Sequence, residues 1–432
     1  MAKTRFPLRC RQSGQIPGIW DCWAGPASGS GAVVARLAGM RITVLAGGVG
    51  AARFLRGLAA AAPDAQVTVV GNTGDDITLF GLHVSPDLDT VMYTLGGGID
   101  EEQGWGRAGD THAVLAELSA YGAGPDWFSL GDQDLATHLH RTSMLGAGLP
   151  LSAVTRILCQ RWQPGVTLLP MTDDPVETHV ILRDGEGERT VHFQEWWVRL
   201  HAAVPAAGFV LAGAAQASPA PGVLAAIEAA DLVLFPPSNP VVSIGTILAV
   251  PGIADAVRGK TVIGVSPIIG GAPVRGMADK CLAAIGVPAT AAAVGAHYGA
   301  DLLAGWLVDE RDKEAVDAPE LAGIAVRAVP LYMTGLPATA AIARAALELA
   351  RAAAQAVGLR KTSQQFKVDL SSEAPERAVP DLFAHFKPGT RLQMVRHQTG
   401  HLPADVIAAN RVDVQAIQEG ERRGHALLLV IK

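Results

Sequence analysis

Short apolar runs alternate with longer stretches of helical periodicity along most of this chain, a pattern that predicts strands joined by helices. Strands are expected at 42–46, 67–70, 178–182, 209–212, 232–235, 262–265 and 324–328. Helices are expected at 51–62, 88–95, 110–121, 133–145, 151–162, 222–230, 277–285 and 338–357. The Val/Ile/Leu-rich runs belong in strands buried on both faces, as in a parallel sheet covered by helices. The fold class is therefore α/β, a Rossmann-like mostly parallel sheet with helices on both faces. Residues 104–165 carry helical pattern without a strand of their own and read as a helical insertion standing over that sheet.

Both ends differ in texture from this core. Residues 1–39 are rich in Arg, Gly, Pro and Ser and lack periodicity, so a disordered extension ahead of a natural start at Met40 is expected. They contain no continuous apolar stretch of the kind a secretory signal needs. The main domain is expected over 40–358. After it come a polar linker (361–380) and two strands (391–395 and 426–431) flanking a helix, with no chemistry attached.

Composition narrows the function classes. The 432 residues suit two or three domains by length. A net charge of −6 with no basic block argues against a nucleic-acid partner. No apolar run approaches the roughly 18 residues that span a bilayer. The four cysteines, Cys10, Cys22, Cys159 and Cys281, have no CxxC spacing and read as reduced thiols of a cytoplasmic protein.

Chemistry concentrates between Arg41 and Asp89. The first strand runs into Gly47-Gly48-Val49-Gly50, where glycines let backbone N–H groups and a helix N-terminus approach an anion. No Gly-Lys-Ser/Thr follows, so this is not a Walker loop. The dinucleotide fingerprint fails too, because Arg53 stands at its third glycine and Asn72, not an acid, ends the second strand. Two acidic loops come next, Asp75-Asp76 and Asp87-Leu88-Asp89. Closely placed carboxylates suit Mg²⁺ at a phosphoryl site, whereas Asp75 as a turn residue and Asp87 as a helix cap is the bland reading. Loops 236–245 and 266–271 each follow a predicted strand and carry hydroxyls, an amide and free backbone donors. All of these loops leave the carboxyl ends of predicted parallel strands, where open α/β sheets bind ligands. Trp105, Trp127-Phe128 and Trp196-Trp197 could line a slot for a flat ring, with core packing the more common role for any one of them. His138 and His140 lack partners at metal spacing, the 173–179 segment is an acidic turn, and no nucleophile motif is present.

The ordered set of motifs resembles one family. It comprises Ala-Gly-Gly-Val-Gly-Ala-Ala-Arg-Phe (46–54), Asn-Thr-Gly-Asp-Asp (72–76), Ser-Pro-Asp-Leu-Asp (85–89), Gly-Asp-Gln-Asp-Leu-Ala-Thr-His (131–138), Leu-Pro-Met-Thr-Asp-Asp-Pro-Val-Glu-Thr (169–178), Pro-Ser-Asn-Pro-Val-Val-Ser-Ile-Gly (237–245) and Val-Ser-Pro-Ile-Ile-Gly-Gly (265–271). Together they look like the 2-phospho-L-lactate (phosphoenolpyruvate) transferases of deazaflavin coenzyme F-420 biosynthesis, over about residues 40–357. Gly104-Trp105-Gly106 and the Gly-Gly-Val-Gly form look most like the actinobacterial branch.

The resemblance implies a Rossmann-like domain with a helical subdomain, often a homodimer, and a Mg²⁺-dependent reaction. An enolpyruvyl or lactyl phosphate would pass from a guanylylated three-carbon acid to the terminal ribityl hydroxyl of the deazaflavin Fo, releasing GMP. Carried onto this chain, Asp76 and Asp89 would hold Mg²⁺ or orient the hydroxyl, with Asp75 and Asp87 as second choices. Gly47, Gly48 and Gly50 would lie against phosphates. Asn72, Ser238, Asn239, Ser243, Ser266, Gly270 and Gly271 would hold the guanosine part. The deazaflavin would lie near Trp127, Ser129 and His138, with Asp89 at the boundary. The competing reading is a regulator that binds nucleotide sugars without turnover, like the related gluconeogenesis-factor proteins; a dehydrogenase is disfavoured by Arg53 and Asn72.

Overall fold

In the computed structural model, which describes residues 39–362 except 186 together with 366–368, 392–397 and 426–431, the chain is built on one seven-stranded sheet. Its strands are β1 (Arg41–Ala46), β2 (Gln66–Gly71), β3 (Thr167–Pro170), β4 (Leu232–Phe235), β5 (Val262–Val265), β6 (Gly305–Val308) and β7 (Ala325–Ala328). They lie in the order β7-β6-β5-β4-β1-β2-β3, and every pairing is parallel. The α/β class read from the sequence is the observed one.

Why the sheet is parallel follows from its side chains. Every position of β4, β5 and β6 is buried, so neither face can be left to water. Ile42 and Val44 enter one core with Phe54 and Leu58 of α1 (Gly48–Ala61) and Ile342 of α6 (Leu336–Thr362). Leu45, Val233 and Phe235 enter the other with Ile247 and Ile253. Burying each such side chain stabilises by roughly 1.5–3 kcal/mol over leaving it in water. Gly57 lets α1 and α6 touch, since a Cβ there would stand 2.5 Å from the Thr339 backbone.

Two expected strands lie elsewhere. Glu177–Asp184 and Ala206–Ala212 pair antiparallel with each other, and Gly187–His192 completes a separate three-stranded sheet. Thr178, Val180 and Leu182 are buried while their neighbours are not, the period-two signature of a sheet with one covered face. Their expected places in the parallel sheet belong to β3 and β6. Strand β6 opens on a glycine for packing reasons: a Cβ on Gly305 would meet Ile263 at 2.7 Å and Leu349 at 2.9 Å.

The helical insertion has the form expected of it. Between β2 and β3 come α2 (Pro86–Leu95), α3 (Ala113–Ala120), α4 (Asp132–Gly146) and α5 (Leu151–Trp162), and no strand lies within 104–165. Trp162 closes α5 against Tyr93 of α2, with ring centroids 4.8 Å apart. In the tail, Leu392–His397 pairs antiparallel with Ala426–Ile431, which also pairs with Phe366–Val368. Residues 1–38, the rest of the linker and the helix expected between the two tail strands lie outside the described residues.

The order of strands positions the site. The chain builds β1, β2 and β3 outward in one direction, then returns to β1's other side and builds β4 to β7 in the opposite one. A crevice therefore opens between the carboxyl ends of β1 and β4, the switch point at which such sheets take ligands.

Candidate active site

At the switch point the loop after β4 lies directly on the glycine turn after β1. A Cβ on Gly50 would stand 2.1 Å from the Pro237 carbonyl oxygen, and one on Gly47 would stand 2.6 Å from Ser243 Cβ and 2.7 Å from Asp87 Oδ2. These two glycines are required by protein packing. Gly48, with φ of 74°, has open space where its Cβ would be. The Ser238 hydroxyl donates to the Gly47 carbonyl (2.8 Å) and accepts the Gly47 N–H (3.4 Å). Asn239 caps the turn that follows, accepting from the Val241 and Val242 N–H groups at 2.9 and 3.3 Å. Glycine turn, Ser238 and Ser243 are thus one unit. Ser266 comes from the neighbouring strand β5 and shapes its own turn, donating to the Ile268 carbonyl at 2.8 Å. The Gly270 N–H is held by the Asp312 carboxylate at 2.9 Å, and Gly271 follows with φ of 84°.

The acids divide according to helix geometry. Asp87 and Asp89 both sit in the first turn of α2 and are buried, but residues two apart leave a helix in different directions. Asp87 turns to the glycine loop, accepting from the Gly48 N–H (2.8 Å) and the Asn72 amide (2.9 Å). Asn72 also donates to the Val242 carbonyl at 3.3 Å, so it ties β2 to the loop after β4. Asp89 turns to α4, where both of its oxygens accept from the buried Arg141 guanidinium. Asp76 contacts the start of α2, with Oδ2 accepting from the Ser85 hydroxyl (2.7 Å) and 2.9 Å from His83 Nε2. Burial pushes the carboxyls of Asp75 and Asp76 up from the usual range, helped at Asp75 by the neighbouring Asp87 charge. Burial also raises Asp87, to about 6, against the opposing pull of Asn72 and Gly48.

These carboxylates can be asked whether they suit a hard cation. Asp75 Oδ1 and Asp76 Oδ1 are buried without any hydrogen-bond partner, and an all-oxygen, charge-rich pair is what Mg²⁺ takes together with substrate phosphates. The pair fits. Asp87 and Asp89 differ, because both oxygens of each are engaged by protein donors. Among the described residues no three His, Cys, Asp or Glu side chains converge as a ready-made metal cage.

On the far side of Asp89, His138 is buried, with Nδ1 3.2 Å from the Arg141 guanidinium and Nε2 3.4 Å from Asp134. Asp134 accepts in turn from the Tyr93 hydroxyl at 2.7 Å. Asp134 also faces a cleft of about 440 Å³, including solvent at its mouth, shared with Trp105, Arg107, Asp110 and Ser129. Ser129 and the His138 network are therefore joined through Asp134. The expected aromatic slot is not assembled. Trp196 is fully buried in the core of the three-stranded sheet, and its indole donates to the Val204 carbonyl at 2.8 Å. Trp197 packs on Phe193 beside it. Trp127 meets Phe128 edge-on, and Trp105 alone of these tryptophans lines the cleft. His140 is exposed, and Asp173 caps α5 by accepting from Ser152, as a turn acid would.

Arg141, His83 and Asp134 are the site residues the sequence pattern did not single out. One sign of Arg141 was available: it falls on the buried face of α4, with Leu135, Thr137 and His138, where an arginine needs a partner acid.

Comparison with known proteins gives the chain's relatives. The family model described as 2-phospho-L-lactate transferase CofD matches residues 42–326. A phosphoenolpyruvate transferase of Streptomyces griseus is 68% identical over 313 residues, covering 72% of this chain and 98% of its own. One from Thermobifida fusca is 66% identical over 319 residues, again with 72% and 98% covered. One from Nocardia farcinica is 58% identical over 332 residues, with 75% and 98% covered. Among solved structures, protein BH3568 of Bacillus halodurans matches at a TM-score of 0.48 and 16% identity, over 72% of this chain and 99% of that one. The chain belongs to the 2-phospho-L-lactate transferase CofD family, transferases of coenzyme F-420 biosynthesis.

Proposed function

We propose that the protein transfers a phosphoenolpyruvyl group from a guanosine diphosphate-linked donor to the terminal ribityl hydroxyl of the deazaflavin Fo. The hydroxyl oxygen forms a bond to the phosphorus that bears the three-carbon acid. The bridging P–O bond to the guanosine side breaks, GMP leaves, and the hydroxyl proton passes to solvent. The enolpyruvyl choice rests on the phosphoenolpyruvate transferase names of relatives at 58–68% identity. The observation that carries the reading is the pair of unpartnered buried oxygens of Asp75 and Asp76, in the stretch that also holds the switch-point glycine turn.

The chain's residues divide the work. The glycine turn with Ser238, Asn239 and Ser243, next to the Ser266–Gly271 loop, receives the guanosine diphosphate part. The cleft at Trp105 and Ser129, backed by Asp134 and His138, receives the deazaflavin. Asp89, held by Arg141, fixes the wall between them. Asp75 and Asp76 would hold Mg²⁺, which when bound neutralises diphosphate charge. An alkyl hydroxyl is a poor nucleophile, so rate must come from holding it in line and from countering charge at the phosphoryl group.

The test is incubation with Fo, the guanylylated donor and Mg²⁺, scored for GMP and for a more acidic deazaflavin on anion exchange. Formation of both in equal amounts is expected. Tight binding of a nucleotide sugar with no product from Fo would sink the transferase and favour the regulator.

A further inference from the structure

Two guanidinium groups above the glycine turn have no part in the scheme so far. Arg53 lies four residues after Val49 on α1 and so shares its helix face. Its Nη2 donates to the Glu101 carbonyl at 3.2 Å. Arg275 comes from the other side of the crevice, in the loop beyond Gly271, and donates to the carbonyls of Gln103 (2.9 Å) and Glu102 (3.3 Å). Both point over Gly104. A Cβ at that glycine would stand 3.1 Å from Arg275 Nη1, 3.6 Å from Arg53 Nη2 and 2.7 Å from Val49 Cγ1. The strap 101–104 is thus pressed onto the glycine turn, with two cationic forks around it.

The forks are short of negative charge. Glu101, the acid whose charge acts on Arg53, is paired with Arg56 at 2.5 Å. The guanidinium groups of Arg53 and Arg275 donate to neutral main-chain carbonyls of one exposed segment. Partial burial, with Arg275 nearby, pulls the Arg53 pKa below its ordinary value.

We propose that Arg53 and Arg275 form a clamp for the carboxylate of the three-carbon acid on the donor, with the carbonyls of 101–103 standing where that carboxylate binds. Planar guanidinium forks match a carboxylate in two-point contact far better than they match a carbonyl. The clamp rests on the transferase reading above and extends it to the end of the donor remote from guanosine. It also separates charges in a useful way: acids on the Asp75–Asp76 side meet the cation, arginines on the strap side meet the anion.

Steady-state kinetics on the full chain test this, with Fo, donor and GMP varied in turn. Arg275→Ala is expected to raise the donor KM about tenfold or more while the Fo KM and GMP inhibition move by less than about twofold. Arg53→Lys keeps the charge without the fork and should fall between. Titration with phosphoenolpyruvate alone, followed by fluorescence of Trp105 in the neighbouring turn, should respond in the wild type and not in Arg275→Ala; this readout does not depend on turnover. Equal weakening of GMP and donor would overturn the carboxylate assignment. A lower melting temperature with unchanged donor KM and an unchanged titration would reduce the pair to a structural staple. If the wild type makes no product but the titration responds through Arg275, the reaction fails and the anion clamp stands.

Discussion

Asp87 places its Oδ1 2.8 Å from the backbone N–H of Gly48, the position an anion would take at the N-terminus of α1. The protein thus satisfies that helix N-terminus with its own carboxylate, and that carboxylate is buried enough to be pushed up to about 6. Any phosphate that reaches the Gly48 N–H has to share or displace it.

The first prediction is a pH dependence of stability. The folded pKa of Asp87, about 6, lies above its ordinary value of 3.8, so the folded state binds the proton more tightly. Stability from this group is complete below pH 3.8 and is lost as pH rises through about 6. Two units correspond to about 3 kcal/mol. Asp75 and Asp76 shift in the same direction. Urea unfolding at pH 4.5 and 7.5 without metal should show the decline, and Asp87→Asn should remove about 2 kcal/mol of it. An unchanged slope in the variant would rule out Asp87 as its source.

Magnesium should act through the two open carboxylate oxygens. Asp75→Asn removes a buried charge crowded by Asp87, so the metal-free variant is expected to be at least as stable as the wild type. It should lose the stabilisation that Mg²⁺ gives, which reaches about 2.7 kcal/mol at a hundredfold excess over Kd. Melting curves with and without Mg²⁺ decide it. A full Mg²⁺ response in both Asp75→Asn and Asp76→Asn would place the metal elsewhere.

Asp89 and Arg141 form a buried ion pair in which each leaves the other stranded if removed. Arg141→Met is expected to cost about 3–5 kcal/mol, and the double variant with Asp89→Leu should recover much of that loss. Neither should release GMP at a normal rate. Denaturant midpoints for the singles and the double form the cycle; additive losses would show the pair to be uncoupled.

These predictions lean on parts of the molecule that differ in how readable they are from sequence. Strands β1, β2, β4 and β5 announce themselves as short, mostly apolar runs, each ending in the glycine, Asn72, Pro236 or Ser266 loops that build the crevice. β6 hides because Gly305 looks like a turn residue when it is a packing residue, wedged between Ile263 and Leu349. Thr178, Val180 and Leu182 show the alternation of a half-covered strand, but apolar density drew them into the wrong sheet. The acids Asp75, Asp76, Asp87 and Asp89 are legible as a cluster; their partition is not. It depends on Arg141, 52 residues beyond Asp89, and on a hairpin that turns His83 back onto Asp76. No periodicity encodes such pairings, which arise when α4 docks against α2.

The glycine turn offers the sharpest contrast between two substitutions of one kind. Gly50→Ala would drive a Cβ to 2.1 Å from the Pro237 carbonyl oxygen, and a backbone atom cannot swing aside as a flexible side chain can. The whole loop bearing Ser238 and Asn239 must shift, at a cost of about 1–3 kcal/mol as for other overpacked sites. Gly48→Ala meets no atom within 4 Å but must hold φ at 74°, which costs a residue with a side chain about 1–2 kcal/mol. Their stability losses should therefore be similar while their kinetics diverge. Gly50→Ala separates the loop after β4 from the turn after β1, so donor KM should rise and turnover collapse. Gly48→Ala keeps the crevice closed and should retain most of its turnover. Measuring kcat and donor KM for both variants at matched folded fractions checks this, and equal kinetic damage would mean that the loop's contact with Gly50 is not what shapes the donor site.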